Sequence, residues 1–130
     1  MFYIYRSTKV SHKNRWKDRT LYRVFTDKIS GEEILNSNLK LQGDARFDDI
    51  KCVINDFSNI TEFKVNEDDI EYFVAMDNAS ALSKNRLKIA IVATDKDLLS
   101  FVYLYCAKME DSPYECKLFS DMTSAQEWAS

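Results

Sequence analysis

Glycine and proline are almost missing from this 130-residue chain: Gly31, Gly43 and Pro113 are all it has. So few chain-reversing residues argue against a β-sandwich, a linker or a disordered tail. Long apolar runs are missing too, and none approaches the roughly 20 residues that a membrane span needs. Met1-Phe2-Tyr3-Ile4-Tyr5-Arg6 has neither the apolar centre nor the cleavage site of a secretory signal, so a cytoplasmic location is expected. Cys52, Cys106 and Cys116 are odd in number and include no CxxC pair, as expected of structural thiols in a reducing compartment. Walker, GxGxxG, HExxH, GxSxG and EF-hand patterns are all lacking. The helix starts carry Glu32, Glu33, Glu67, Asp68, Asp69 and Asp97, which repel anions and argue against a bound nucleotide. No cofactor, metal ligand or catalytic residue is expected.

What the chain does have is the length and apolar content of one domain with a self-sufficient core. The formal net charge is −3 but uneven. Arg6, Lys9, Lys13, Arg15, Lys17, Arg19 and Arg23 gather near the start with only Asp18 against them. A solvated hairpin tip is the expected reading, and nucleic acid is not an expected partner of so acidic a remainder.

Phe2–Val10 and Thr20–Ile29 are aromatic and β-branched, and read as antiparallel strands joined through Ser11–Arg15. Ser30-Gly31-Glu32-Glu33 has capping-box spacing, and Ile34, Leu35 and Leu39 give the following helix an apolar side as far as about Gln42. Gly43 is expected to end it in the left-handed conformation. Ile50–Phe57 reads as a strand buried on both faces, ending on Asp56 and followed by a polar loop to Asn66. Asn66 caps a second helix whose inward spacing takes in Ile70, Phe73, Val74, Asp77 and Ala81. Leu87–Ala93 is the clearest strand, and Thr94 and Asp95 lead into a third helix from Asp97 to about Met109. Tyr114–Phe119 is a last strand, and Ser120 or Asp121 caps a short fourth helix carrying Ala125 and Trp128. The order predicts one α/β domain: a mixed five-stranded sheet, its N-terminal pair antiparallel and the rest parallel, with four helices.

Several of these stretches together resemble the SpoIIAA-like, or STAS-like, bacterial proteins. They are Ser30-Gly31-Glu32-Glu33, Asp44-Ala45-Arg46-Phe47, Asn55-Asp56-Phe57-Ser58-Asn59-Ile60-Thr61, Arg86-Leu87-Lys88-Ile89-Ala90-Ile91-Val92, and Leu118-Phe119-Ser120-Asp121 through Ala125 to Trp128. The resemblance implies the fold of anti-sigma-factor antagonists, shared in outline with SEC14-type lipid-carrying domains. In antagonists a strand-end Asp-x-Ser precedes an Asp-Ser at the next helix start, where the serine is phosphorylated. Asp56 and Ser58 match the first part, but Phe63-Lys64-Val65-Asn66-Glu67 stands where the second would be and offers no hydroxyl.

Asp56 at a strand end has the chemistry of a base or ligand, yet the single histidine, His12, is far away in sequence. Bonding of Asp56 to nearby backbone N–H groups is the expected role. Ser58 and Thr61 are hydroxyls that phosphorylation would set against neighbouring acids. With Asn66 and Asp95 they form the expected interaction surface. The third helix is apolar nearly all round, and Phe101, Tyr103 and Leu104 off its inward stripe are candidates for self-association as a homodimer. The expected function is a non-enzymatic regulatory or interaction module with an unidentified protein partner. The alternative is a carrier or sensor of an apolar small molecule or lipid, which requires a cavity of about 300 Å³ or more.

Overall fold

The computed structural model describes residues 12–130. Strand β1 (His12–Lys17) reverses through Asp18-Arg19 into β2 (Thr20–Ser30). Both turn residues have positive φ, 50° and 64°, the backbone of a type I′ turn, whose twist suits antiparallel strands. The hairpin therefore turns later than expected: His12–Arg15, read as part of a polar connection, belong to a strand. Among the described residues β1 is the edge of the sheet, and an edge strand facing solvent is polar for that reason. The other expected strand, Phe2–Val10, lies outside the described residues.

The remaining elements are α1 (Gly31–Gln42), a short 3-10 helix (Ala45–Asp49), β3 (Cys52–Lys64), α2 (Glu67–Lys84), β4 (Leu87–Val92), α3 (Lys96–Lys108), β5 (Tyr114–Phe119) and α4 (Met122–Ala129). Among the described residues the sheet has five strands in the order β1-β2-β3-β4-β5, with the first pair antiparallel and the rest parallel. This is the expected architecture. The two apolar segments expected at its centre are neighbours, with Val53 opposite Ile89 and Asn55 opposite Ile91. The sequential order has no reversal, so no crevice opens between diverging crossovers at the strand ends, where such sheets often bind ligands.

β3 overturns one expectation. It does not give way to a loop after Phe57 but continues to Lys64. The long β2 supplies the partner, pairing Thr26 with Asn59 and Ser30 with Lys64, past register shifts on either side of Thr26-Asp27. Asp27 takes φ 61° to absorb the irregularity. β4 stops at the Asp56–Val92 pair, so among the described residues this second half of β3 has no strand on its other side. Ser58, Asn59 and Thr61 are exposed there. Their polarity reflects an exposed strand rather than a loop.

Helix starts follow the sequence closely. The Ser30 hydroxyl accepts from Glu33 N–H at 3.2 Å. At α2 the box is reciprocal: Asn66 Oδ1 accepts from Asp69 N–H at 2.9 Å, and Asp69 Oδ2 accepts from Asn66 N–H at 3.0 Å. Asp95 and Asp121 cap α3 and α4. Two details differ from expectation. Gly43 ends α1 with φ −89°, in the right-handed region, and the helix exit with positive φ is that of α2, at Asn85, φ 80°. Leu39 faces solvent, while the inward side of α1 carries Ile34, Ser37 and Leu41. A buried serine on that side implies something polar beneath it.

Each parallel crossover steps to the next strand in the same direction, so α1, α2 and α3 cover one face of the sheet. The main core lies there, with Leu21, Phe25, Val53, Ile89 and Ile91 under Ile34, Ile70, Phe73 and Val102. On the opposite face Cys52, Ile54, Ala90 and Val92 pack beneath Ala125 of α4, rimmed by Phe119 and Trp128.

Candidate functional site

Strand alternation aims Leu21, Arg23 and Phe25 at the same face of β2, toward the helices, and all three are buried. Arg23 is only 3% exposed, and its guanidinium is wrapped in neutral oxygens. Nη1 donates to Asn38 Oδ1 at 2.7 Å and to Asn55 Oδ1 at 3.2 Å. Nη2 donates to Ser37 Oγ, which also lies 3.1 Å from His12 Nε2. Nε is buried and has no hydrogen-bond partner among the described residues. Burial lowers the Arg23 pKa to about 10, so the group is still a cation at neutral pH. His12 is lowered by its own burial and by the Arg23 charge.

Among the described residues the deeply buried carboxylate on this face is Asp77, on the inward stripe of α2 and 8% exposed. Its Oδ2 accepts from the Tyr105 hydroxyl of α3, and its Oδ1 accepts from Gln42 Nε2 of α1 at 3.1 Å. Burial raises its pKa to about 6, partly offset by those bonds and by Arg23. Tyr105 is pushed well up by burial and by the Asp77 charge. None of the ion pairs among the described residues joins Arg23 to Asp77. Two opposite charges thus influence one another without touching.

Both groups line a cavity of about 100 Å³ between the sheet and α1, α2 and α3. Val53, Phe57, Ile89 and Ile91 form its floor, and Ile34, Ile70, Phe73 and Val102 its roof. Asn38, Asn55, Gln42 and Tyr105 complete the polar part of the lining. An apolar chamber with a few convergent polar groups is the usual form of a small-molecule site. Among the described residues no group of three or more His, Cys, Asp or Glu side chains could hold a metal ion.

Of the residues singled out from sequence, Phe101 lines this cavity and the others lie elsewhere. Asp56 Oδ1 accepts from the Ser58 N–H at 2.9 Å and the Ser58 hydroxyl at 2.6 Å, a local turn within β3. Asp95 Oδ1 accepts from Asp97 N–H and Leu98 N–H at 2.9 and 3.1 Å. Register puts Asp56 beside Val92, so Asp56 and Asp95 share one end of the sheet. Thr61 stands five strand positions beyond Asp56, roughly 16 Å away, and Asn66 follows at the α2 cap, so the set is not one cluster. In α3, Phe101 is half-buried against Phe63, with ring centres 5.6 Å apart, and lines the cavity. Leu104 is half-buried against the core, and Tyr103 is 63% exposed.

Sequence reasoning placed Arg23 in a solvated basic stretch and counted Asp77 as an ordinary member of an inward stripe. The signal was present in both cases. An arginine between Leu21 and Phe25 in strict alternation, and a carboxylate four residues after Phe73 in an apolar stripe, are buried charges by position. Lys13, Arg15, Lys17 and Arg19 are exposed on β1 and its turn as expected, with Arg15 4.4 Å from the centre of the Tyr22 ring. Cys52 is buried, which pushes its thiol up to about 11. Cys106 of α3 and Cys116 of β5 lie near enough to influence one another's ionisation, a proximity their spacing hid.

Comparison with known proteins places this geometry in a fold. No family model matches the chain, and no curated protein does. Among solved structures it is similar to an uncharacterised protein of the DUF3478 family from Shewanella loihica, described as having a SpoIIAA-like fold. The two share 15% identity and a TM-score of 0.53 over 92% of each chain. The chain has a SpoIIAA-like fold, as its sequence pattern led us to expect.

Proposed function

We propose that this chain is a cytoplasmic, non-enzymatic regulatory module of the STAS-like type whose input is a small molecule held between the sheet and α1, α2 and α3. The cavity carries this reading. Its volume of about 100 Å³ is well below the roughly 300 Å³ of a drug-sized site. An engineered cavity of roughly 150 Å³ holds benzene, so an occupant here has about four to six non-hydrogen atoms. An intact lipid exceeds that volume, which favours a small-molecule sensor over a lipid carrier at this cavity. The output is a protein contact made by the outer side of the helical layer, where Tyr72 and Leu82 of α2 and Tyr103 of α3 are exposed. Thermal denaturation against a panel of neutral, anionic and cationic molecules of that size tests the input. At least one is expected to raise the melting temperature and slow amide exchange in α2 and α3. A panel without any such effect defeats the reading.

A second reading keeps the interaction module but replaces the ligand by a second copy of the chain. The exposed Tyr103 favours it, flanked on α3 by the half-buried Phe101 and Leu104. Light scattering at high concentration would then show a dimer that Tyr103→Ser dissociates. A monomer at every concentration removes this reading and leaves the first intact.

A further inference from the structure

We infer that the cavity receives a short-chain monocarboxylate, its two oxygens seated on the Nε and Nη2 edge of Arg23 and its tail against Phe25, Val53, Ile89 and Ile91, with Asp77 taking up one proton as the anion enters. This rests on the small-molecule reading above and adds the chemical class of the ligand.

Five N–H groups belong to a guanidinium, and the protein uses three of those on Arg23: both of Nη1, through Asn38 and Asn55, and one of Nη2, through Ser37. The Nε–H and one Nη2 N–H are left over. A buried donor without a partner is costly, and buried polar groups are almost always satisfied. Nε and Nη2 lie along one edge of the guanidinium, the fork that takes both oxygens of a carboxylate. The oxygens already around Arg23 are neutral. The single carboxylate nearby, Asp77, is held by Tyr105 and Gln42 and makes no ion pair with it. Arg23 is therefore a buried cation with directed bonding capacity to spare, lining space for a few atoms whose walls are mostly apolar.

Charge balance fixes the valence. With Arg23 cationic and Asp77 anionic the chamber is neutral. A carboxylate brings one negative charge, and neutrality returns when Asp77 takes one proton. A dianion would need two protons or a second cation, and among the described residues Arg23 is the only cation lining the chamber. Asp77 is the group suited to respond. Arg23 faces it from β2, Tyr105 from α3, Gln42 from α1, and Tyr114 and Cys116 from β5. Burial pushes both tyrosines further above neutrality, and the neighbouring Cys106 thiol together with burial does the same for Cys116. His12 reaches Arg23 only through Ser37 and is held toward its neutral form.

The test uses the full chain with propionate, propionamide and propylamine as size-matched probes. Arg23 is the only buried arginine among the described residues, so its slowly exchanging Nε–H is identifiable in proton–nitrogen NMR spectra. Propionate is expected to move that resonance and raise the melting temperature. Its affinity should increase about tenfold per unit as pH falls toward 6, because one proton is taken up. The other two probes should do neither. Arg23→Lys should abolish the response, and if that variant does not fold, the wild-type resonance decides alone. Propionamide or propylamine acting where propionate does not would overturn the carboxylate and leave the small-molecule reading standing. Silence from every probe and from the wider panel would overturn both, and a propionate affinity independent of pH would refute the proton uptake.

Discussion

Arg23 and Asp77 are costly residues to bury, and the fold handles them differently. Arg23 remains charged inside a shell of amide and hydroxyl oxygens, whereas Asp77 has its proton equilibrium moved into the physiological range. That movement has a definite sign. A carboxyl whose folded pKa of about 6 exceeds its ordinary 3.8 favours the fold at acid pH, and the contribution fades as pH rises through 6. Asp77→Asn removes the titration at a fixed cost in hydrogen bonding to Tyr105 and Gln42. Stability relative to the parent is therefore expected to shift in favour of the variant between about pH 4 and pH 7, by on the order of 2–3 kcal/mol. Urea unfolding of both proteins across that range measures the difference, and two parallel stability profiles would show that Asp77 does not titrate as described.

Among the elements, the start of α2 is coupled to the start of α1. Gly31 is buried, and a Cβ built on it would stand 2.2 Å from Asp69 Oδ2. Asp69 has little freedom to move aside, because the same oxygen closes the box with Asn66. Gly31→Ala is expected to break that cap and cost about 1–2 kcal/mol, the usual worth of an N-cap. Gly43 is the control: its added Cβ would meet nothing nearer than Leu39 O at 3.5 Å, and its φ of −89° suits alanine. Gly43→Ala should be neutral or stabilising by up to about 1 kcal/mol, through the lower entropy of the unfolded chain. Thermal melts of the two variants should move in different directions, and equal losses would refute the coupling.

At the scale of the molecule, one sheet separates two cores of unequal character. The face under α1, α2 and α3 borders a partly open cavity, while the face under α4 closes on Ala125, which has no exposed surface. Lys88 ties that second layer down, donating from Nζ to Trp128 O at 2.8 Å with its ammonium 5.0 Å from the ring centre. Ala125→Leu has no room to occupy and should cost about 1–3 kcal/mol by overpacking. Because the strands are common to both faces, unfolding should remain a single transition, with ligand response at the chamber unchanged. A separate early melt of α4 by circular dichroism would show instead that the two layers are independent.

Much of this molecule was determined within short windows of sequence. Caps at Ser30, Asn66, Asp95 and Asp121 depend on residues three positions apart at most, and the alternation of strands with helices fixes parallel pairing and the α/β class. Tertiary structure decided what depends on distant partners. β3 extends to Lys64 because β2 is there to receive it, and a polar stretch has no local mark that distinguishes exposed strand from loop. The candidate site is more distant still: Arg23 meets Asn38 and Asn55 from 15 and 32 positions away, and Asp77 meets Tyr105 and Gln42 across 28 and 35. Periodicity could place each of those side chains inward. Only the packing of three helices on one face could bring them around a common space, since that depends on crossover direction and on volumes that no single segment contains.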